Sequence, residues 1–299
     1  MSEPLFGCIE AGGTKFVAGV VAAPDDIRET ARFDTISPDE TIGATIAWLQ
    51  EAADRHGALA AVGIASFGPL ELDRMAVNWG HITATTKPGW SNCDFAGRVT
   101  RAFNLPVGFD TDVNGAALAE SRWGTGQGQN VCLYITIGTG IGGGAIIDGK
   151  PLHGLSHPEM GHIRPQRHPA DLGFAGICPF HGDCLEGLAS GPAIKARWGA
   201  SLSELEPDHA AHDIIAWYLA QMVVTMQSIM EPGRIILGGG VMGTPGLIDR
   251  VRSKATELGK GYFRGAAHDI IVTPGLGEHA GLLGGLALAQ DILSSARTV

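Results

Sequence analysis

The sequence contains no run of about 20 apolar residues, the length a membrane-spanning helix requires. Its longest apolar stretch, Ile214 to Met230, is interrupted by Gln221, Thr225, Gln227 and Ser228 and reads as a buried core helix. Basic residues are scarce: 21 Lys and Arg stand against 31 Asp and Glu, for a formal charge of −10. That balance argues against a duplex-DNA binder, which carries a basic footprint, and against a polybasic membrane anchor. The opening MSEPLFGCIEAGG lacks the basic-then-apolar order of a secretory leader. The five cysteines are therefore expected to be thiols or metal ligands in a reducing, cytoplasmic setting, not disulfides. A P-loop, with its terminal Gly-Lys-Ser/Thr, is also absent.

What is present is apolar residue and glycine. Of 299 residues 44% are hydrophobic, which excludes disorder and suits about two domains. There are 44 glycines, about twice the usual ~7%, and they cluster in short runs beside strands.

The pattern predicts strands at 5–9, 15–22 and 27–34. A helix follows from Ser37-Pro38-Asp39-Glu40, where Ser caps, Pro takes the first helical position and Glu stands three residues after the cap. Ile42, Ile46 and Leu49 give it helical spacing to about Arg55. Buried strands are expected at 59–65 and 106–110, with a helix from about Val113. A second hairpin is expected from strand 131–137, turn 138–144 and strand 145–148. Gly13-Thr14 recurs in it as Gly138-Thr139, a weak sign of two related halves. Helices near 185–198, 208–230 and 246–258, strands at 234–237 and 269–273, and a closing helix from about 280 complete an α/β chain with two sheet-containing domains.

Three glycine turns stand out: Glu10-Ala11-Gly12-Gly13-Thr14-Lys15, the run Thr136-Ile137-Gly138-Thr139-Gly140-Ile141-Gly142-Gly143-Gly144, and Leu237-Gly238-Gly239-Gly240. Gly138-x-Gly140-x-x-Gly143 matches a dinucleotide fingerprint as text, but that motif needs a helix next, and a β-branched run follows instead. A glycine turn between strands can still present main-chain N–H groups to an anion. The first two turns are read as holding phosphates of one nucleotide, and the third as a bare-backbone rest for base or ribose. Three tight turns without ligand are the competing reading. Lys15 either touches phosphate or caps its hairpin.

These motifs resemble the two phosphate motifs and the adenosine motif of the sugar kinase–actin–Hsp70 superfamily. Within it the chain resembles the ROK family over nearly its whole length. That likeness implies an actin-like, ribonuclease H-like two-domain α/β fold that closes a cleft around ATP and a sugar. Residues 1–115 with a helix at about 283–299 would form the smaller domain. Residues 116–282, with a loop at 153–186, would form the larger. Most members begin the first motif with Asp; Glu10 here matches the fructokinase branch and would face a hydrated Mg²⁺.

Phosphoryl transfer to a hydroxyl needs a carboxylate to take the proton. Asp112, in Asp110-Thr111-Asp112-Val113-Asn114, falls where ROK kinases carry their general base; the bland alternative is a helix N-cap. Thr111 replaces an Asn of the family motif. Asp110 is read as structural or metal-proximal, and Asn114 as a sugar-side residue.

Five of the eleven histidines fall between 153 and 181. Cys178-x-x-His181-x-x-Cys184 offers three soft ligands and His162 a fourth, a set suited to a structural Zn²⁺. A Cys178–Cys184 disulfide and metal-free thiols are the alternatives. The resemblance to ROK fructokinases implies His162, Cys178, His181 and Cys184 as ligands, with His153, His157 and His168 as bystanders. It also implies Glu159, Glu186, Asn78 and His162 as sugar contacts, with Ser66 and Gly68-Pro69 lining the acceptor side.

The whole implies an ATP-dependent fructokinase making fructose 6-phosphate, acting on small molecules and not on nucleic acid or membrane, and a homodimer by family habit. A mannokinase or glucokinase is the near alternative. A sugar-sensing repressor is disfavoured, because no helix-turn-helix precedes Glu10 in this sequence.

Overall fold

The computed structural model describes residues 3–296, and the chain divides into two compact units. Unit 1 comprises the chain up to Trp123, Pro151–His157 and onward from Leu276; unit 2 comprises Gly124–Lys150 and Pro158–Gly275. The division falls after Trp123, not near 115, because the helix ending there packs along the C-terminal helix of the same unit.

In unit 1, β1 (Leu5–Ala11), β2 (Lys15–Ala23) and β3 (Asp26–Asp34) form an antiparallel meander. Helix α1 (Pro38–His56) starts at the predicted cap, where the Ser37 side chain accepts from the Glu40 N–H. Strand β4 (Leu59–Ser66) pairs parallel with β1. The short strands β5 (His81–Ile82) and β6 (Cys93–Asp94) pair with each other, and α2 (Phe95–Phe103) follows. Strand β7 (Val107–Thr111) then pairs parallel with β4 and runs straight into α3 (Asp112–Trp123). The sheet order is β3-β2-β1-β4-β7.

Unit 2 is built on β8 (Val131–Ile137), β9 (Ile141–Ile147) and the two-residue β10 (Lys150–Pro151). Helices α4 (Leu185–Ala189), α5 (Gly191–Trp198) and α6 (Ala210–Met230) precede β11 (Arg234–Gly238). Helices α7 (Leu247–Gly259) and α8 (Ala267–Ile270) and strand β12 (Ile271–Val272) complete it. Its sheet order is β10-β9-β8-β11-β12, and as in unit 1 an antiparallel hairpin, here β8 with β9, is followed by two parallel neighbours, β11 and β12. That shared order adds to the hairpin repeat as a sign of related halves.

Helix α9 (Ala280–Ala296) returns the chain to unit 1; positions 297–299 of the expected closing helix lie outside the described residues. Where α9 meets β4 and α3, side chains would not fit. A Cβ at Gly63 of β4 would run into the Gly285 backbone of α9, and one at Gly284 would sit 2.5 Å from the Gly115 carbonyl carbon of α3. Glycine is thus required for backbone contact along this seam, and Leu282, Leu283 and Leu286 fill the space around it.

Two expectations are corrected. The glycine run at 138–144 is a turn only as far as Gly140, since Ile141 already pairs with Ile137 and Gly142–Gly144 are strand residues. Gly143 is bare because Met160 lies over it, with Sδ 2.6 Å from where a Cβ would stand. The expected strand at 269–273 is helical through Ile270 and extended only over Ile271–Val272. No helix among the described residues is long and apolar enough to cross a membrane.

Candidate active site

Strand β7 delivers Asp110 to the sheet's end and α3 begins two residues later. Asp110 is 3% exposed. Its Oδ1 accepts from the Thr111 N–H at 2.7 Å and from Asn114 Nδ2 at 2.8 Å, and its Oδ2 lies 2.8 Å from His153 Nε2. Thr111 caps the helix, its Oγ1 accepting from the Asn114 N–H at 3.0 Å. The cap role therefore belongs to Thr111, not to Asp112. Asp112 is the first helical residue, half-buried, with Oδ1 accepting from the Val113 N–H at 2.9 Å.

Asn114 departs from the expected sugar contact. It is fully buried, its amide nitrogen is turned to Asp110, and its Oδ1 has no partner. The third helical position points inward, so Asn114 shapes the turn around Asp112. Asn78 stands on an exposed loop, and its carbonyl accepts from the His81 N–H at 3.2 Å. Ser66 is buried and donates to the Phe67 carbonyl.

Glu10 is the last residue but one of β1, before the first glycine turn. Burial raises its pKa, and the charges of Lys15, Arg32 and His279 oppose that rise. Its carboxylate fills the place a Cβ would take at Gly281 on α9. The turn itself is closed by the Gly12 N–H donating to the Lys15 carbonyl at 2.9 Å, while Gly13, Thr14 and Lys15 are exposed. Lys87, which carries no sequence motif, donates from Nζ to the Gly13 carbonyl at 2.6 Å.

Unit 2 brings the other two glycine turns together. The Gly138 N–H donates to the Gly140 carbonyl at 2.9 Å, and the Gly138 carbonyl accepts from the Gly191 N–H at 2.8 Å. Gly239 has φ +89°, and a Cβ there would meet the Ile137 backbone, so the 238–240 turn abuts the end of β8. Thr136 pairs with Gly238 in the ladder, Thr139 is exposed, and Gly138 and Gly240 face open space. Glu186, expected as a sugar contact, accepts from the Ile141 N–H at 2.9 Å through Oε2. No local pattern announces that bond, since it joins residues from α4 and β9.

Residues 6–292 match the sequence profile of the ROK family. The chain belongs to the ROK family. It is 50% identical over 291 residues to the fructokinase of Zymomonas mobilis, covering 96% of this chain and 97% of that one. It is 45% identical to a putative fructokinase of Bacillus subtilis, with 97% of each covered. Among solved structures, the ROK hexokinase of Thermus thermophilus aligns at TM-score 0.79 and 25% identity, over 97% of this chain and 99% of that one. The ROK glucokinase of Streptomyces griseus, solved with glucose and AMPPNP, aligns at TM-score 0.74 and 27% identity, over 96% and 99%. The fold is the actin-like ATPase fold of ROK sugar kinases.

In this ROK chain the His/Cys segment folds back on itself in unit 2. The ligand atoms of His162, Cys178, His181 and Cys184 all lie within 4.8 Å of one another. His162 Nδ1 is 3.4 Å from Cys184 Sγ, and Cys178 Sγ is 3.9 Å from His162 Nδ1 and 3.7 Å from His181 Nδ1. Zinc–ligand bonds of about 2.0–2.3 Å in a tetrahedron set donors roughly 3.3–3.8 Å apart, so the set fits a closed zinc site. Burial, and then the neighbouring Cys178 thiol, push the Cys184 thiol up, so a metal bound there has to displace its proton. All five cysteines are free thiols, which removes the Cys178–Cys184 disulfide reading. Glu159 precedes the turn that carries His162, with Oε2 3.9 Å from His162 Nε2.

Of the expected bystanders, His168 receives the Ala170 N–H and stands edge-on to Trp217. His157 Nε2 accepts from the Leu70 N–H at 3.1 Å. His153 is no bystander, since it bonds the carboxylate behind the α3 turn.

Proposed function

We propose that this ROK kinase transfers the γ-phosphoryl group of ATP to the 6-hydroxyl of D-fructose, releasing fructose 6-phosphate and ADP. The half-identity with a curated fructokinase along nearly the whole chain carries the reading. The Asp112 geometry supplies its chemistry. Asp112 takes the proton of the 6-hydroxyl as that oxygen attacks the γ-phosphorus and the bond to the ADP oxygen breaks. Thr111 and Asp110 fix the first turn of α3 so that the carboxylate is held still.

The turns at 10–15 and 136–140 offer main-chain N–H groups to phosphate, and Gly238–Gly240 gives the nucleoside a surface without side chains. Magnesium on the β- and γ-phosphates would neutralise developing charge, with Glu10 as the carboxylate facing it through water. Zinc on His162, Cys178, His181 and Cys184 would fix the loop that carries Glu159, whose carboxylate accepts from sugar hydroxyls. The thiol ligands suit a reducing, cytoplasmic setting.

The test is steady-state ADP release with fructose, mannose, glucose and N-acetylmannosamine side by side. Fructose is expected to give the highest kcat/KM. A higher value for mannose or glucose assigns the enzyme to that hexose, and no turnover on any of them overturns the reading.

A further inference from the structure

Residues Pro151–His157 belong to unit 1, although the chain on both sides of them belongs to unit 2. Three side chains tie this strap down. His153 Nε2 lies 2.8 Å from Asp110 Oδ2, Ser156 Oγ donates to the Leu70 carbonyl at 3.1 Å, and His157 Nε2 accepts from the Leu70 N–H at 3.1 Å. The last two bond backbone; the first alone reaches the turn that holds Asp112.

We propose that His153 is a positioning residue for Asp112, acting through Asp110. Both hydrogen bonds of Asp110 Oδ1 go to residues flanking Asp112, the Thr111 N–H and the Asn114 side chain. The direction of that oxygen therefore sets the pitch of the turn. A carboxylate keeps one direction only if its other oxygen is also held, and His153 holds it. The Asp110 hydrogen bond raises the imidazole's pKa, which keeps a proton on the ring for donation. Without that donor, a buried carboxylate oxygen is left unpartnered and Asp110 can swing about its χ2 axis. A shift near 1 Å at a reacting group costs up to about 100-fold in rate. The His153 side chain is 42% exposed, so its removal opens no core cavity. The proposal rests on the reading of Asp112 as general base.

The experiment compares His153→Ala, His153→Asn, His153→Gln and Asp112→Asn for kcat, for KM of fructose and ATP, and for Tm. Gln places its amide nitrogen near the position of Nε2, and Asn falls short of it. The Ala and Asn variants are expected to lose about 10–100-fold in kcat, with both KM values within about twofold of wild type and Tm lowered by the unpartnered Asp110 oxygen. The Gln variant is expected to recover most of that loss. A raised KM for fructose at unchanged kcat would make His153 a sugar ligand and overturn the proposal. So would equal kcat in the Asn and Gln variants, or an undiminished kcat in the Ala variant. Asp112→Asn separates the two readings. If it keeps wild-type turnover, the base assignment fails. If it is inactive while His153→Ala is fully active, only the His153 proposal fails.

Discussion

Glu186 on α4 clamps the backbone of Ile141, the first residue of β9, with Oε2 2.9 Å from the Ile141 nitrogen. A Cβ at Gly140 would stand 2.7 Å from the same oxygen. Glu186 lies two residues after Cys184, so one short piece of chain joins the clamp on the second glycine turn to the His/Cys cluster. Glu186, expected as a hydroxyl acceptor, is thus seen as the clamp of the second glycine turn.

Gly140→Ala should push Glu186 off Ile141 and loosen the turn. A charge-assisted hydrogen bond contributes about 1.5–3 kcal/mol. Gly140→Ala and Glu186→Ala should therefore each lower unfolding stability by roughly 1–3 kcal/mol and raise the KM for ATP. Glu186→Gln, whose amide oxygen can still accept from Ile141, should do so less. Denaturant titration and ATP saturation curves check this.

Metal analysis of protein purified without a His tag should find about one zinc per chain. Stripping it, or replacing Cys178 or Cys184 by Ser, should lower Tm. The loop should nevertheless stay tethered at Asp171, which is 5% exposed, is bonded by the Tyr218 hydroxyl at 2.7 Å and is paired with Arg197 at 3.0 Å. Less than about half an equivalent of zinc, with full stability, would count against the site.

Glu10→Gln should separate stability from turnover. Burial raises the Glu10 pKa above its ordinary 4.5, so its stabilising contribution is present below that value and is lost as pH rises through the folded-state pKa. At neutral pH the ionised carboxylate is a burden on the fold. The Gln variant should melt higher than wild type at pH 7 while turning over more slowly, as thermal melts and initial rates would show.

The His153–Asp110 pair has a pH signature in stability as well. The imidazole's pKa is raised above 6.5 by the Asp110 hydrogen bond. Its ionic contribution is therefore complete below pH 6.5 and fades as pH rises past the folded-state value. The Tm advantage of wild type over His153→Gln should be largest at acid pH and shrink in the alkaline range.

Local signals carried much of this fold. The Ser37–Glu40 cap, the apolar runs of β1 and β2 on either side of a glycine turn and the unbroken apolar run of β4 are all properties of neighbouring residues, and the elements sit where those patterns place them. Elements that depend on distant packing were not legible. Gly142–Gly144 look like a loop until Met160 is seen lying over Gly143, and the short helix α8 ends in what reads as a strand. At the site, the His/Cys spacing announced its own cluster. Lys87 on the Gly13 carbonyl and His153 on Asp110 carry no local motif, because each meets a partner far away in sequence. Thr111 was legible as a departure from the family motif, but its capping bond needed the backbone turn to be seen.

The most direct measurement is the fructose-dependent release of ADP by Asp112→Asn, with binding of ATP and fructose followed by calorimetry on the same protein. Removal of a general base is expected to lower kcat by about 10²–10⁴ while both ligands still bind. Turnover close to wild type in that variant would contradict the assignment of Asp112 as the group that takes the sugar's proton.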